Sequence, residues 1–241
     1  MTSQEDKMIA IAMPGQAAAG RAQRGGAERR SNEQDWALEG IFTSGAGPEP
    51  GGAVIAPPHP LYGGSMDSPV VAEITWACKR AGFATVRFNW RGVGASGGSP
   101  SGENAHADTD YVAALAYLED TVPGPIIAAG YSFGAATAVR IARASPRVRR
   151  LLLVAPPPAL LDAGALAGFR GRVLAVVGSR DSFAPVAELA ASLGDDPRRR
   201  LEVVPDADHF FQRGLSDVSR LAGAWLGAQT PEWLTQRADG E

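Results

Sequence analysis

The sequence predicts an α/β domain with a doubly wound, mostly parallel sheet of about seven strands flanked by helices. From residue 35 onward, short apolar runs alternate with stretches of helical periodicity. Most of the runs are apolar at nearly every position, which is typical of parallel strands covered on both faces. The links between elements are short, so successive strands are expected to be joined by right-handed crossovers.

The predicted strands share this continuous apolar character and are bounded by turn-forming residues. They are Leu38–Phe42, Ala53–Ala56, Thr85–Phe88, Ile126–Ala129, Leu151–Val154, Val173–Val177 and Leu201–Val204. Capping residues, prolines, glycines and apolar stripes mark the helices between them. The first helix begins at Ser68 and ends before Gly82, and Cys78 on its apolar stripe is expected in the core. The other main helices are predicted near residues 107–120, 135–143, 185–194 and 216–226.

The length and composition suit one domain with a sizeable core, because the chain has 241 residues and 45% of them are hydrophobic. Residues 1–34 are expected to be a disordered N-terminal arm or an over-extended start, since most of this stretch is rich in Ala, Gly, Gln and Arg and lacks apolar periodicity. Its apolar run Met8–Met13 is too short for a secretory signal peptide. The single α/β domain is therefore assigned to residues 35–241.

The charge, the apolar runs and the cysteine content argue against nucleic-acid and membrane partners and against a disulfide-linked structure. The net charge of −3 gives no electrostatic basis for binding nucleic acid or an anionic membrane. No apolar run approaches the roughly 20 residues of a membrane span. The single cysteine excludes an intramolecular disulfide and a cysteine-rich metal site. We expect a cytoplasmic protein with no nucleic-acid or membrane partner, and the sequence does not predict an oligomeric state.

The most informative motif is Gly-x-Ser-x-Gly at Gly130–Gly134. In its functional setting, this motif forms a sharp turn between a strand and a helix and presents the serine as a nucleophile. The pattern occurs twice, and the second match is centred on Ser96. Ser132 follows the predicted strand Ile126–Ala129 and precedes a run of good helix formers, whereas Ser96 precedes Gly, Ser and Pro residues that a helix could not use. Only Ser132 therefore lies between a predicted strand and a predicted helix, which is the setting of a nucleophilic serine in this motif.

An acid and a base follow two later strands of the predicted sheet. Asp181 comes after Val173–Val177, and His209 comes after Leu201–Val204. Because the carboxyl ends of parallel strands meet at one edge of a sheet, these groups are expected near Ser132. A neutral imidazole can take the serine proton, and a carboxylate can fix the tautomer of that imidazole. The chain order Ser, Asp, His is the one that accompanies this type of serine turn.

The sequence contains other acids and histidines that are candidates for these two roles. Asp162 remains an alternative acid, because it follows the strand before Asp181 along the chain. Asp206 and Asp208 lie so close to the histidine at position 209 that turn formation is the expected role for them. Of the other two histidines, His59 lies between prolines and is expected to pack in a loop, and His106 opens a helix.

Two backbone N–H groups are expected to bind the oxyanion of an acyl-transfer reaction. The N–H of Phe133 lies at the predicted start of a helix, where the partial positive charge favours an anion. The second donor is expected in the loop after Ala53–Ala56, where Pro58 and Pro60 have no N–H. The backbone N–H groups of Leu61 and Tyr62 remain as candidates, and that of Leu61 is the predicted donor.

The segment Gly92–Gly97 also matches a dinucleotide-binding fingerprint. That fingerprint needs a helix at its third glycine to receive the pyrophosphate, and none is predicted here. We expect a tight loop beside the active site, held by hydrogen bonds from Arg87, Asn89 and Arg91. No cofactor and no metal ion are predicted.

Four segments of the chain resemble the α/β-hydrolase superfamily. They are Pro57–Tyr62, Arg87–Ser96, Gly130–Ala135 and Asp208–Phe211. Together they resemble a bacterial subgroup of small hydrolases related to dienelactone-hydrolase-like and serine-peptidase-like members. The chain departs from that subgroup in having Pro-Pro-His-Pro where His-Pro-His-Pro is usual, and the usual first strand is not apparent within residues 1–34.

The motifs and the resemblance predict a serine hydrolase that cleaves a small ester or thioester through an acyl-enzyme. The expected catalytic residues are Ser132, His209 and Asp181, and the expected partner is a small-molecule acyl substrate. A peptidase or amidase of the same fold, or a hydrolase-fold protein that only binds, remains an alternative. The connection 155–172, where relatives often insert a lid, is short, so little or no cap is expected.

Overall fold

The structure, a computed structural model, describes residues 5–13, 36–47 and 51–227. These ranges contain an eight-stranded sheet in the order β1-β2-β4-β3-β5-β6-β7-β8. The strands are β1 (Asp6–Ala12), β2 (Ala37–Thr43), β3 (Gly52–Ala56), β4 (Ala84–Phe88), β5 (Ile126–Tyr131), β6 (Val148–Val154), β7 (Arg172–Gly178) and β8 (Arg199–Val204). The helices are α1 (Pro69–Arg80), α2 (Asn104–Thr121), α3 (Phe133–Ile141), α4 (Ala163–Gly168), α5 (Val186–Leu193) and α6 (Leu215–Gly227).

The sheet is parallel from β4 through β8, and only β1 and β2 run antiparallel to their neighbours. Helices cover both faces: α1 and α6 pack together on one face, and α2 and α3 pack on the other. The predicted fold class is therefore confirmed, with one strand more than expected. All the strands predicted from apolar runs are present, and most are longer than predicted.

The core on each face is built from the residues that the sequence pattern directs inward. Ile74 and Cys78 of α1 are fully buried against one face of the sheet. Burial raises the pKa of the Cys78 thiol to about 12, as expected for a packing residue that stays protonated. On the other face the hydroxyl of Tyr111 donates to the carbonyl oxygens of Val54 and Ala129. This buried phenol therefore links α2 to two adjacent strands.

The first strand corrects the prediction of a disordered arm. Asp6–Ala12 pairs residue by residue with Ala37–Thr43, and the side chain of Ile11 is buried. The carboxylate of Asp6 accepts hydrogen bonds from Thr43 and Lys79, which lowers its pKa. These stabilising contacts are distant in sequence, so local composition does not indicate them. The rest of the predicted arm, residues 1–4 and 14–34, lies outside the described residues.

The connection from β6 to β7 contains one 3-10 turn, Pro158–Leu160, and the six-residue helix α4. A segment of this size cannot form an elaborate cap over the carboxyl edge of the sheet. Within the described ranges, no helix is long and apolar enough to cross a bilayer.

Candidate active site

Ser132 lies at the sharp turn between β5 and α3. Its backbone adopts φ 54° and ψ −116°, in a region that non-glycine residues rarely occupy. Such strain costs about 1–3 kcal/mol and is found mainly where function requires it. The flanking glycines permit the tight turn, because a Cβ at Gly134 would collide with the backbone carbonyls of Ala56 and Pro57. The motif therefore has the strand-turn-helix geometry that its context predicts.

The structure brings together the three side chains predicted for acyl transfer. The Nε2 atom of His209 lies 3.0 Å from the Oγ atom of Ser132. The Nδ1 atom of His209 lies 2.8 Å from the Oδ2 atom of Asp181. Because an ionised carboxylate only accepts hydrogen bonds, this contact favours the tautomer with the proton on Nδ1. Nε2 is then free to accept the serine proton.

The carboxylate of Asp181 is held by the loop in which it lies. Its second oxygen, Oδ1, accepts hydrogen bonds from the N–H groups of Phe183 at 2.9 Å and Ala184 at 2.8 Å. Only about 5% of the surface of Asp181 is exposed. A buried carboxylate with both oxygens bonded has little freedom to turn away from His209.

Tyr131 is a positioning residue that the sequence reasoning missed. Its hydroxyl donates a hydrogen bond of 2.9 Å to the backbone carbonyl of His209, and its ring lies beside the imidazole. Burial, together with the carboxylates of Asp181 and Asp208, raises the pKa of the phenol, so it remains a donor. The only available signal was its place next to Ser132 in the Gly-Tyr-Ser sequence.

The alternative acids have other partners. Asp162 accepts a hydrogen bond of 2.8 Å from the N–H of Ala165 and caps α4. Asp206 forms an ion pair with Arg180. Asp208 accepts from the N–H of Gln212 at 3.1 Å, in keeping with its expected role in a turn. Asp181 is therefore the carboxylate that is hydrogen-bonded to His209.

Ser96, the centre of the second motif match, is a structural residue in a loop. Its Oγ donates to the carbonyl of Asn89 and accepts from the N–H of Glu39, each at 2.9 Å. The side chain of Asn89 donates to Glu39, whose carboxylate also accepts from the loop N–H of Ala95. The expectation that Asn89 helps to hold this loop agrees with these contacts.

The other two residues expected to hold this loop behave differently from each other. Arg91 binds the buried carboxylate of Asp110 through its side chain and its backbone N–H, so it ties the loop to α2. Arg87 instead donates to the carbonyl of Met66, and among the described residues it forms no hydrogen bond to the loop. The prediction for Arg87 is therefore wrong, because its side chain is directed toward the segment before α1.

Of the two N–H groups predicted to bind an oxyanion, that of Phe133 is without an acceptor among the described residues and that of Leu61 is not. Phe133 is the first residue of α3, and its N–H has no acceptor among the described residues. The N–H of Leu61, however, donates to Nδ1 of His59 at 3.2 Å, and that of Tyr62 donates to the carbonyl of His59 at 3.1 Å. These bonds belong to a 3-10 turn capped by the imidazole. This corrects the prediction of Leu61, since its N–H is already engaged.

The N–H of His59, unlike those of Leu61 and Tyr62, is not engaged in a hydrogen bond among the described residues. The imidazole packs 4.7 Å from the ring of Phe133. Trp90 donates its indole N–H to the carbonyl of Pro58 at 3.0 Å. Because a trans peptide directs its N–H opposite to its carbonyl, the N–H of His59 points away from Trp90. Burial lowers the pKa of the His59 imidazole, which favours the neutral form that accepts from Leu61.

Across residues 5–13, 36–47 and 51–227, no group of three or more His, Cys, Asp or Glu side chains is arranged to hold a metal ion. The polar groups at the carboxyl edge of β5, β7 and β8 instead form one hydrogen-bonded chain from Ser132 to Asp181. Such a chain can activate a hydroxyl for attack on a carbonyl carbon.

Comparison with known proteins gives matches over most of the chain. A family model described as "Alpha/beta hydrolase family" matches residues 63–239. The uncharacterized protein RP471 of Rickettsia prowazekii (strain Madrid E) is 27% identical over 207 residues, covering 81% of this chain and 86% of that protein.

Solved structures give matches of similar extent. An alpha-beta serine hydrolase homologue from Coxiella burnetii is 30% identical, with a TM-score of 0.71, and the match covers 83% of this chain and 100% of that chain. XC6422 from Xanthomonas campestris, described as an a/b serine hydrolase without lid, is 24% identical with a TM-score of 0.73, covering 95% of this chain and 99% of that chain. At that lower identity, the similarity to XC6422 shows the fold alone.

Proposed function

The chain belongs to the alpha/beta hydrolase family, as its motifs predict, and we propose that it is a serine hydrolase that cleaves small carboxylic esters or thioesters through an acyl-enzyme. The observation that supports this most strongly is the hydrogen-bonded chain from Ser132 through His209 to Asp181. All three groups are mostly buried, so their mutual orientation is fixed before a substrate binds.

In the proposed acylation step, Oγ of Ser132 attacks the carbonyl carbon while Nε2 of His209 takes its proton. The carboxylate of Asp181 stabilises the imidazolium that forms and remains ionised throughout. The negative charge on the carbonyl oxygen is stabilised by the N–H of Phe133, at the start of α3, and by the N–H of His59.

The intermediate then collapses, and His209 returns the proton to the leaving alcohol or thiol as the carbon–oxygen or carbon–sulfur bond breaks. In the second half-reaction a water molecule attacks the acyl carbon, and His209 takes a proton from that water. The same imidazole then protonates Oγ of Ser132 as the acid product leaves. The proton transfers in these steps are supported by the hydrogen bonds from His209 to Ser132 and Asp181.

The short connection between β6 and β7 leads us to expect a preference for short acyl chains. The six-residue helix α4 cannot cover a long acyl chain, so such a chain would remain partly in water. We expect hydrolysis of 4-nitrophenyl acetate and butyrate, and of their thioester analogues, with kcat/KM falling for long acyl chains. Nitrophenolate release at the buffer rate for every chain length would contradict the proposed activity.

The second oxyanion donor can be tested by removing one N–H. The backbone of His59 has φ −61°, which proline adopts without strain, so His59→Pro deletes the N–H without straining the backbone at this position. His59→Ala is the matched control, because it removes the same imidazole and keeps the N–H. We expect kcat for 4-nitrophenyl acetate to be about 10²–10³-fold lower in His59→Pro than in His59→Ala. Equal kcat in the two variants would assign the donor elsewhere.

A further inference from the structure

Two exposed phenylalanines flank the imidazole of His209. The ring centroid of Phe183 lies 4.8 Å from that of His209, and the ring of Phe210 lies 5.5 Å from it. The two phenylalanine rings meet edge to face at 6.3 Å. About 58% of Phe183 and 60% of Phe210 is exposed. Two large apolar rings in contact beside the reacting groups leave a combined surface in water that a ligand could cover.

The chemistry of the proposed reaction indicates which part of the substrate reaches these rings. During acylation His209 protonates the leaving oxygen or sulfur, so that atom must come within hydrogen-bond distance of Nε2. The remainder of the leaving group extends from this atom on the side of the imidazole. In the proposed mechanism the carbonyl oxygen is instead bound by the N–H groups of Phe133 and His59. Phe183 and Phe210 are two exposed apolar rings beside the imidazole that makes this proton transfer.

The backbone positions that carry the two rings lie next to the reacting groups along the chain. Phe183 follows Asp181 by two residues and donates its N–H to that carboxylate. Phe210 follows His209 directly, and its ring stands nearly perpendicular to the imidazole, at 86°. A ring attached to a leaving alcohol can contact both phenylalanines while its oxygen accepts the proton from Nε2.

We infer that Phe183 and Phe210 form a leaving-group subsite that selects esters of ring-bearing or otherwise bulky apolar alcohols, or the corresponding thioesters. This inference rests on the proposed serine hydrolase activity. The bond that breaks is the one between the acyl carbon and the leaving oxygen or sulfur. The proton from Ser132 ends on the departing alcohol or thiol, which leaves past the two rings.

The test compares benzyl acetate with 2-methoxyethyl acetate. Both form the same acetyl-enzyme and release alcohols of similar acidity, so the ratio of their kcat/KM values compares recognition of the leaving group during acylation. We expect the kcat/KM of wild type to be higher for benzyl acetate than for 2-methoxyethyl acetate. In the double variant Phe183→Ala/Phe210→Ala the ratio of the two kcat/KM values should fall about tenfold. Phe183→Tyr/Phe210→Tyr keeps both rings and should keep the preference. Trp76→Ala, which truncates an exposed aromatic side chain on α1, is the matched control and should leave the ratio unchanged.

The outcomes separate the inference from the proposed function. If the double alanine variant lowers kcat/KM equally for both acetates, the rings only orient His209, and the subsite is overturned while the hydrolase activity stands. Wild type that reacts with a fluorophosphonate at Ser132 but cleaves neither acetate also overturns the subsite alone. Wild type that neither cleaves an ester nor reacts with the fluorophosphonate overturns both.

Discussion

Replacing Ser132 with alanine is expected to lower kcat for 4-nitrophenyl acetate by about 10⁶-fold. The hydroxyl is the proposed nucleophile, and no other group is hydrogen-bonded to Nε2 of His209 among the described residues. The N–H groups proposed to bind the oxyanion remain in this variant. We therefore expect it to hydrolyse the ester slowly, at a rate that still exceeds hydrolysis in buffer alone. Steady-state assays at saturating substrate measure this directly.

Ser96→Ala is the matched control for that variant. Ser96 is the centre of the other Gly-x-Ser-x-Gly match, and within the described part of the chain its Oγ bonds only to the backbone of Asn89 and Glu39. We expect a loss of about 1–2 kcal/mol in the free energy of unfolding, with kcat close to that of wild type. If Ser132→Ala kept its kcat while Ser96→Ala lost activity, the assignment of the nucleophile would be wrong.

Replacing Asp181 with asparagine is expected to lower kcat by about 10⁴-fold. The amide can donate to Nδ1 of His209, which would move the ring proton to Nε2 and remove the acceptor for the serine proton. The same change also removes the charge that stabilises the imidazolium. Assays of kcat at saturating substrate and urea unfolding together separate this effect from a loss of stability.

The control for the acid is Asp162→Asn. Asp162 caps α4 through its Oδ1 atom, and asparagine is an equally good capping residue, so both kcat and the free energy of unfolding should stay near their wild-type values. Full turnover in Asp181→Asn together with lost turnover in Asp162→Asn would reverse the assignment of the acid.

Much of the fold could be predicted because its signals are local. Strands β3 to β7 are buried on both faces and are therefore mostly apolar along their length, and helix α1 begins at Pro69 after Ser68. The grouping of Ser132, Asp181 and His209 could be predicted for a related reason. Each follows a strand of one parallel sheet, so the topology alone directs them to the same edge.

The features that could not be predicted depend on contacts between distant segments. Strand β1 is held by pairing with β2, and the intervening residues give no hairpin signal. The direction of the N–H of His59 depends on the hydrogen bond from Trp90 to Pro58, and the N–H of Leu61 is taken by a side chain two residues before it. Counting prolines in the loop could not reveal either interaction.

The central claim is that Ser132 is an activated nucleophile, and intact-mass analysis after reaction with a fluorophosphonate tests it most directly. The account predicts one covalent adduct per wild-type chain, located on the peptide that contains Ser132. The same adduct is expected in Ser96→Ala and none in Ser132→Ala. An unlabelled wild type, or equal labelling of Ser132→Ala, would contradict the account.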